Sequence, residues 1–239
     1  DEARRIKEIV DRAVEIWRRL VEEIKRIVKE VLDKWRKLIR ELIELVRKAL
    51  EDLRRTNGAK EDVLRKIEEE AKKIIRDVED LLKKIADKYK RIIEELEELL
   101  RRLTEKYKEI KKELDKGVDK KDVVKRLEEL NREVLETVRK VLEDLARLDE
   151  DVLRTIAEIL KRIAELIKRV LEAVIRDKGK TDELKRLEDD VRKKLKDLED
   201  KLRKLRKELE ETHRRLAETI RRIAEELERL HRELKRESK

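Results

Sequence analysis

The sequence of 239 residues contains no cysteine, proline, methionine or phenylalanine, and only three glycines. Without cysteine, disulfide bonds and thiolate chemistry are excluded, although the redox compartment stays open. Aromatic residues make up 2% of the chain and charged residues 56%, and this balance without proline is typical of long helices. The remaining apolar residues are mostly Leu, Ile and Val at helical intervals, which disfavours disorder.

Long apolar runs and one-signed charge stripes are also lacking. The longest apolar run is Ala173-Val174-Ile175, whereas a membrane helix needs roughly 20 such residues. The net charge is +9, but acidic and basic residues alternate within nearly every turn, so no basic stripe favours nucleic acid. We expect a soluble chain with neither a membrane nor a nucleic-acid partner. The acidic start Asp1-Glu2 is unlike a targeting signal, so the location stays unknown, with recombinant cytoplasmic expression expected.

All three glycines lie at the breaks in the helical pattern, where a left-handed residue can end a helix. These breaks are Thr56-Asn57-Gly58, Lys116-Gly117 and Lys178-Gly179. Asp119 and Thr181 follow the last two as N-caps. We predict one domain over residues 1–239, with helices at approximately 2–56, 60–116, 119–177 and 181–237.

The apolar residues repeat at a separation of 18, as in Trp17 with Trp35 and Ile67 with Ile85. A repeat of 18 residues corresponds to 3.6 residues per turn, so the helices should be nearly straight. Short turns make consecutive helices antiparallel neighbours. The predicted fold is all-α: an elongated, single-chain, antiparallel four-helix bundle with up-down-up-down topology.

One repeat-equivalent position in each helix carries an unusual interior residue, and each such pair is separated by 18. Reflecting residue numbers through the turns places each Trp level with a Thr and each Tyr close to a His. Buried indole and phenol hydrogens need acceptors, so we predict Trp–Thr and Tyr–His hydrogen bonds across the core. The predicted pairs are Trp17 with Thr137, Trp35 with Thr155, Tyr89 with His213, and Tyr107 with His231.

The 18-residue repeat, the Glu/Lys/Arg surface, the glycine turns and the missing residue types together resemble de novo designed helical bundles with buried hydrogen-bonding layers. The resemblance covers the whole chain. It implies a monomeric structural scaffold without a natural biochemical function, in which buried polar groups fix the register of the helices. The handedness of winding and the intended purpose stay open.

His213 and His231 are the strongest candidates for a chemically functional site, because neutral imidazole binds metals and haem iron. They stand about 27 Å apart along one helix, so they cannot share an ion. We therefore predict no metal site, no cofactor and no catalytic residue, and no enzyme activity. The alternative is a designed binding or assembly module, acting through porphyrin or metal binding at these histidines, or through hairpin pairing or domain swapping between chains.

Overall fold

The computed structural model describes residues 2–55, 61–179 and 181–237, and these form four long helices. The helices are α1 (Glu2–Arg55), α2 (Glu61–Asp115), α3 (Lys120–Lys178) and α4 (Asp182–Glu237). The pairings α1·α2, α2·α3, α3·α4 and α1·α4 confirm the predicted four-helix bundle. At the two described turns, the ends of α2 and α3 and the starts of α3 and α4 lie within one residue of their predicted positions. The predicted turn at Thr56-Asn57-Gly58 falls outside the described residues.

The other two glycines adopt the left-handed conformation predicted for them, with φ of +79° at Gly117 and +75° at Gly179. At the first of these turns, the Val118 amide donates to the Glu113 carbonyl at 3.2 Å, which closes the end of α2. The next two helices begin at side-chain caps. Asp119 accepts from the Lys121 amide at 3.2 Å, and Thr181 from the Leu184 amide at 3.3 Å.

Contacts divide the bundle into two compact units, each containing a section of all four helices. The first unit comprises Asp1–Glu30, Lys88–Arg147 and Glu210–Lys239, and the second comprises Val31–Asp87 and Leu148–Leu209. The prediction that the chain forms one domain stays a prediction. Each unit buries Leu, Ile and Val from its four helix sections. Examples in the first unit are Ile6, Leu20, Leu96, Val138 and Leu227, and in the second Ile39, Leu42, Ile85, Ile156 and Val174.

Ion pairs along the first unit record the antiparallel register of neighbouring helices. On α1 and α4, Arg5 pairs with Glu237 at 2.7 Å and Arg12 with Glu233 at 3.0 Å, so residue numbers rise on one helix as they fall on the other. These pairs are solvent-exposed, and such pairs are worth about 0 to 1 kcal/mol each. They therefore contribute less than burial of the apolar core.

Over residues 2–55, 61–179 and 181–237, none of the four helices has a stretch both long and apolar enough to cross a membrane.

Candidate functional site

The first unit contains a buried polar cluster built from one residue of each helix: Trp17 on α1, Tyr107 on α2, Asn131 on α3 and His231 on α4. We call these four residues the polar network. Trp17, Tyr107 and Asn131 expose 0%, 1% and 4% of their surface. His231 is half-buried at the edge of the core.

Asn131 is the centre of the polar network, because its side chain contacts the other three residues. The Trp17 indole donates from Nε1 to Asn131 Oδ1 at 3.1 Å, and the Tyr107 hydroxyl donates to the same oxygen. The amide nitrogen Nδ2 lies 2.9 Å from His231 Nε2. A single carboxamide therefore links all four helices of the unit.

The hydrogen-bonding roles within the polar network follow from what each group can do. An indole N–H can only donate, so the Asn131 atom that faces Trp17 must be the oxygen. The amide nitrogen then faces His231 and can only donate, so His231 Nε2 must accept. An accepting Nε2 carries no proton, which fixes His231 as the neutral ring with its proton on Nδ1.

The surroundings of the polar network disfavour charge on both titratable members. Burial raises the pKa of the Tyr107 phenol, an effect that the Trp17 N–H opposes in part. Burial also lowers the pKa of His231 from its ordinary value of 6.5, against the attraction of Glu128 and with the repulsion of Lys235. Both residues are therefore held in their neutral forms near neutral pH.

The predicted pairing of Trp17 with Thr137 is wrong. The indole hydrogen goes to Asn131, and the Thr137 hydroxyl donates to the Glu133 carbonyl of its own helix at 2.9 Å. Thr137 is exposed, because it lies beside the inward-facing positions of α3 rather than on them. Its hydroxyl forms the bond to the preceding turn that threonine commonly makes within helices.

Thr155, which we paired with Trp35, shows the same local bond. Its hydroxyl donates to the Asp151 carbonyl at 2.8 Å. The Thr155 hydroxyl hydrogen is therefore used within α3. Trp35 itself is fully buried, as predicted for the large residue of that layer.

The predicted Tyr–His pairs have different outcomes. Tyr107 and His231 do belong to one layer of the core, as predicted. Each of them, however, is hydrogen-bonded to the Asn131 side chain, which lies between them. The direct Tyr107–His231 bond is therefore replaced by a bridge through the carboxamide. Tyr89 is fully buried, and its bond to His213 stays a prediction.

Asn131 and Asp149 of α3 are buried polar residues that were not predicted from the sequence, and they expose 4% and 2% of their surface. A signal for them was present. They are separated by 18 residues, as are the two tryptophans, the two tyrosines and the two histidines. Asn131 also lies three residues before the buried Val134, and residues at this spacing share one face of a helix.

Within residues 2–55, 61–179 and 181–237 no group of three or more His, Cys, Asp or Glu side chains could hold a metal ion. His213 lines a surface groove between α3 and α4 of the first unit, with Arg139, Glu143 and Arg221 around it. Buried side-chain nitrogen and oxygen atoms of the described residues all have hydrogen-bond partners.

Comparisons with known proteins give no relative on which to base a function. The chain matches no protein-family model, no curated protein and no solved structure at a significant level.

Proposed function

We propose that this chain is a designed structural scaffold, and that the polar network is the device that specifies how its four helices meet. The observation that carries the proposal is the carboxamide of Asn131, which bonds to one side chain from each of the other three helices. The proposed state is a monomer that acts neither as an enzyme nor as a cofactor-binding protein.

Specificity, rather than added stability, is the contribution expected from such a network. Cores of Leu, Ile and Val are specified mainly by volume and patterning, and they lose a unique packing before they lose stability. A helix that slides by one residue moves a side chain about 1.5 Å along the axis and turns it by roughly 100°, which would separate the polar partners. Each buried donor left without an acceptor then costs about 1 to 3 kcal/mol. Shifted arrangements are penalised while the native one is not.

The positions of the polar residues support this role. Trp17 and Asn131 lie on α1 and α3, which are diagonal rather than paired helices in the bundle. The ion pairs described above join neighbouring helices and do not directly set the register of α1 against α3. The hydrogen bond across the diagonal does constrain that register. The bridge from Asn131 to His231 adds the α3·α4 pair.

The test replaces the whole network by apolar residues, because removing one partner alone would confound specificity with an unsatisfied group. The network-free variant carries Trp17→Phe, Tyr107→Phe, Asn131→Leu and His231→Leu. A matched control exchanges four apolar core residues of the same unit: Ile6→Leu, Leu20→Ile, Leu96→Ile and Leu227→Ile. Sedimentation gives the mass, and the amide ¹H–¹⁵N spectrum gives the number of conformers.

We expect the network-free variant to fold with stability close to that of the parent, but to show several sets of resonances or a mixture of masses. The control should give one set and the monomer mass. A dimer formed by the parent itself would favour the alternative of hairpin pairing or domain swapping. A network-free variant with one set of resonances and one mass would contradict the proposed role.

A further inference from the structure

The second unit contains a cavity of about 30 Å³ whose lining comes from all four helices and is wholly hydrophobic. Ala49 and Leu53 line it from α1, Ala71 from α2, Ile167 from α3 and Val191 from α4. Leu53 and Ala71 expose only 2% and 0% of their surface. Ala49 and Ile167 are half-buried, so the cavity reaches from the apolar interior of that unit towards its surface.

The 18-residue repeat explains why space is left at this place. Leu53 is the third member of the series that begins with Trp17 and Trp35, and Ala71 is the third member of the tyrosine series. Ile167 stands in the series of Asn131. In the third repeat of each series, Leu53 therefore replaces a tryptophan and Ala71 replaces a tyrosine. The larger Ile in place of Asn does not refill the volume of two missing aromatic rings, and the cavity remains.

Water is a poor occupant of this cavity. A buried water needs two to four polar partners, and apolar cavities without them stay dry and accept apolar guests. The side chains that line the cavity in the described part of the chain offer carbon atoms only. A guest gains dispersion contacts with walls that otherwise face empty space.

We propose that the cavity of the second unit binds a small apolar ligand of the size of a xenon atom or a very small hydrocarbon. Its volume is roughly a fifth of the 150 Å³ that accommodates benzene in an engineered apolar cavity, so aromatic rings are too large. The site lies outside the polar network, in the other unit, and does not depend on the scaffold function proposed above.

Xenon under pressure is the probe, read through methyl ¹H–¹³C spectra of the full chain. We expect saturable shifts at the methyl groups of Leu53, Ile167 and Val191, and none at Ile6 or Val10 of the first unit. Ala71→Leu places an isobutyl side chain in the cavity, so the saturable shifts should disappear. Ala217→Leu, at an exposed position of the first unit, is the matched control and should keep them.

If Ala71→Leu does not fold, Ala49→Leu fills the same cavity from a half-buried position. Shifts that saturate in the parent and in Ala217→Leu, and that vanish in a folded filling variant, support the site. A parent that shows only a linear response to xenon pressure contradicts it. So does a folded filling variant that keeps the saturable shifts.

Discussion

The indole Nε1 of Trp17 lies 3.1 Å from Oδ1 of Asn131, so a hydrogen bond crosses the bundle between its diagonal helices α1 and α3. The same oxygen accepts from Tyr107. Asn131 is therefore the acceptor for two buried donors, and several measurable consequences depend on it.

Replacing Asn131 by leucine should destabilise the protein by about 2 to 4 kcal/mol, because two buried donors lose their acceptor together. The measurement is the free energy of unfolding from denaturant titration. Thr137→Ala, at the exposed position that we first paired with Trp17, is the control and should change stability by less than about 0.5 kcal/mol. Equal stability of the two variants would show that the Trp17 and Tyr107 donors do not depend on Asn131.

Tyr107→Phe removes a single hydroxyl and keeps the ring. We expect a loss of about 1 to 2 kcal/mol, because Asn131 Oδ1 retains the Trp17 donor and only one bond is lost. Trp17→Ala should cost more, about 3 to 5 kcal/mol, since it also opens a cavity in a fully buried place. If Tyr107→Phe proved as stable as the parent, the hydroxyl would not be bonded as described.

The positive φ of Gly117 should make this turn sensitive to substitution. Gly117→Ala should cost about 1 to 2 kcal/mol, because an L-residue is strained in the left-handed region. A methyl group there would meet nothing within 4 Å, so the expected cost comes from the backbone alone. Gly117→Asn should cost less, since asparagine tolerates this conformation. Equal losses for the two variants would indicate a different cause.

Acidification should destabilise the parent more than it destabilises His231→Leu. The pKa of His231 is lowered in the folded state, chiefly by burial, and the charges around the ring are Glu128 and Glu228 against Lys235 and Arg132. The unfolded ring therefore binds a proton at a higher pH than the folded ring does. Protonation favours unfolding.

This contribution of His231 is fully present above the ordinary pKa of 6.5 and is lost as the pH falls from there through the lower, folded-state value. The measurement is the difference in unfolding free energy between the parent and His231→Leu as a function of pH. The carboxylates titrate in both proteins, so the difference isolates His231. A difference that stays constant below pH 6.5 would contradict the lowered pKa.

The sequence predicted the four helices, the helix ends at the two described turns and the antiparallel order, because the glycine turns and the spacing of apolar residues are local signals. Gly117 and Gly179 end their helices as expected. The burial of Trp17, Trp35, Tyr89 and Tyr107 was also predictable, since large apolar rings occur at inward positions of the 18-residue repeat.

The register between α1 and α2 was not predicted correctly. Reflection through Gly58 places Lys25 opposite residue 91, whereas its ammonium group lies 3.0 Å from Glu97. The offset of six residues corresponds to about 9 Å along the axis. Side chains of a helix lean towards its N-terminus, so contacts across an antiparallel pair lie further along the second helix than the backbone reflection indicates.

Without this offset, reflection points from Trp17 to Thr137 rather than to Asn131, which lies six residues away. Thr137 faces outwards and Asn131 inwards, and a residue-number reflection does not distinguish the two faces. The sequence signal for Asn131 is its inward position, which a second polar residue, Asp149, occupies 18 residues later.

Asn131 donates to Nε2 of His231 and thereby holds this imidazole as a neutral ring protonated at Nδ1. The most direct test is the pair of imidazole ¹⁵N chemical shifts of His231 above pH 7, with Asn131→Leu as the reference. We predict a protonated Nδ1 and an unprotonated, hydrogen-bonded Nε2 in the parent, and a mixture of tautomers in Asn131→Leu. A parent ring protonated at Nε2, or a mixture like that of the reference, would contradict the account.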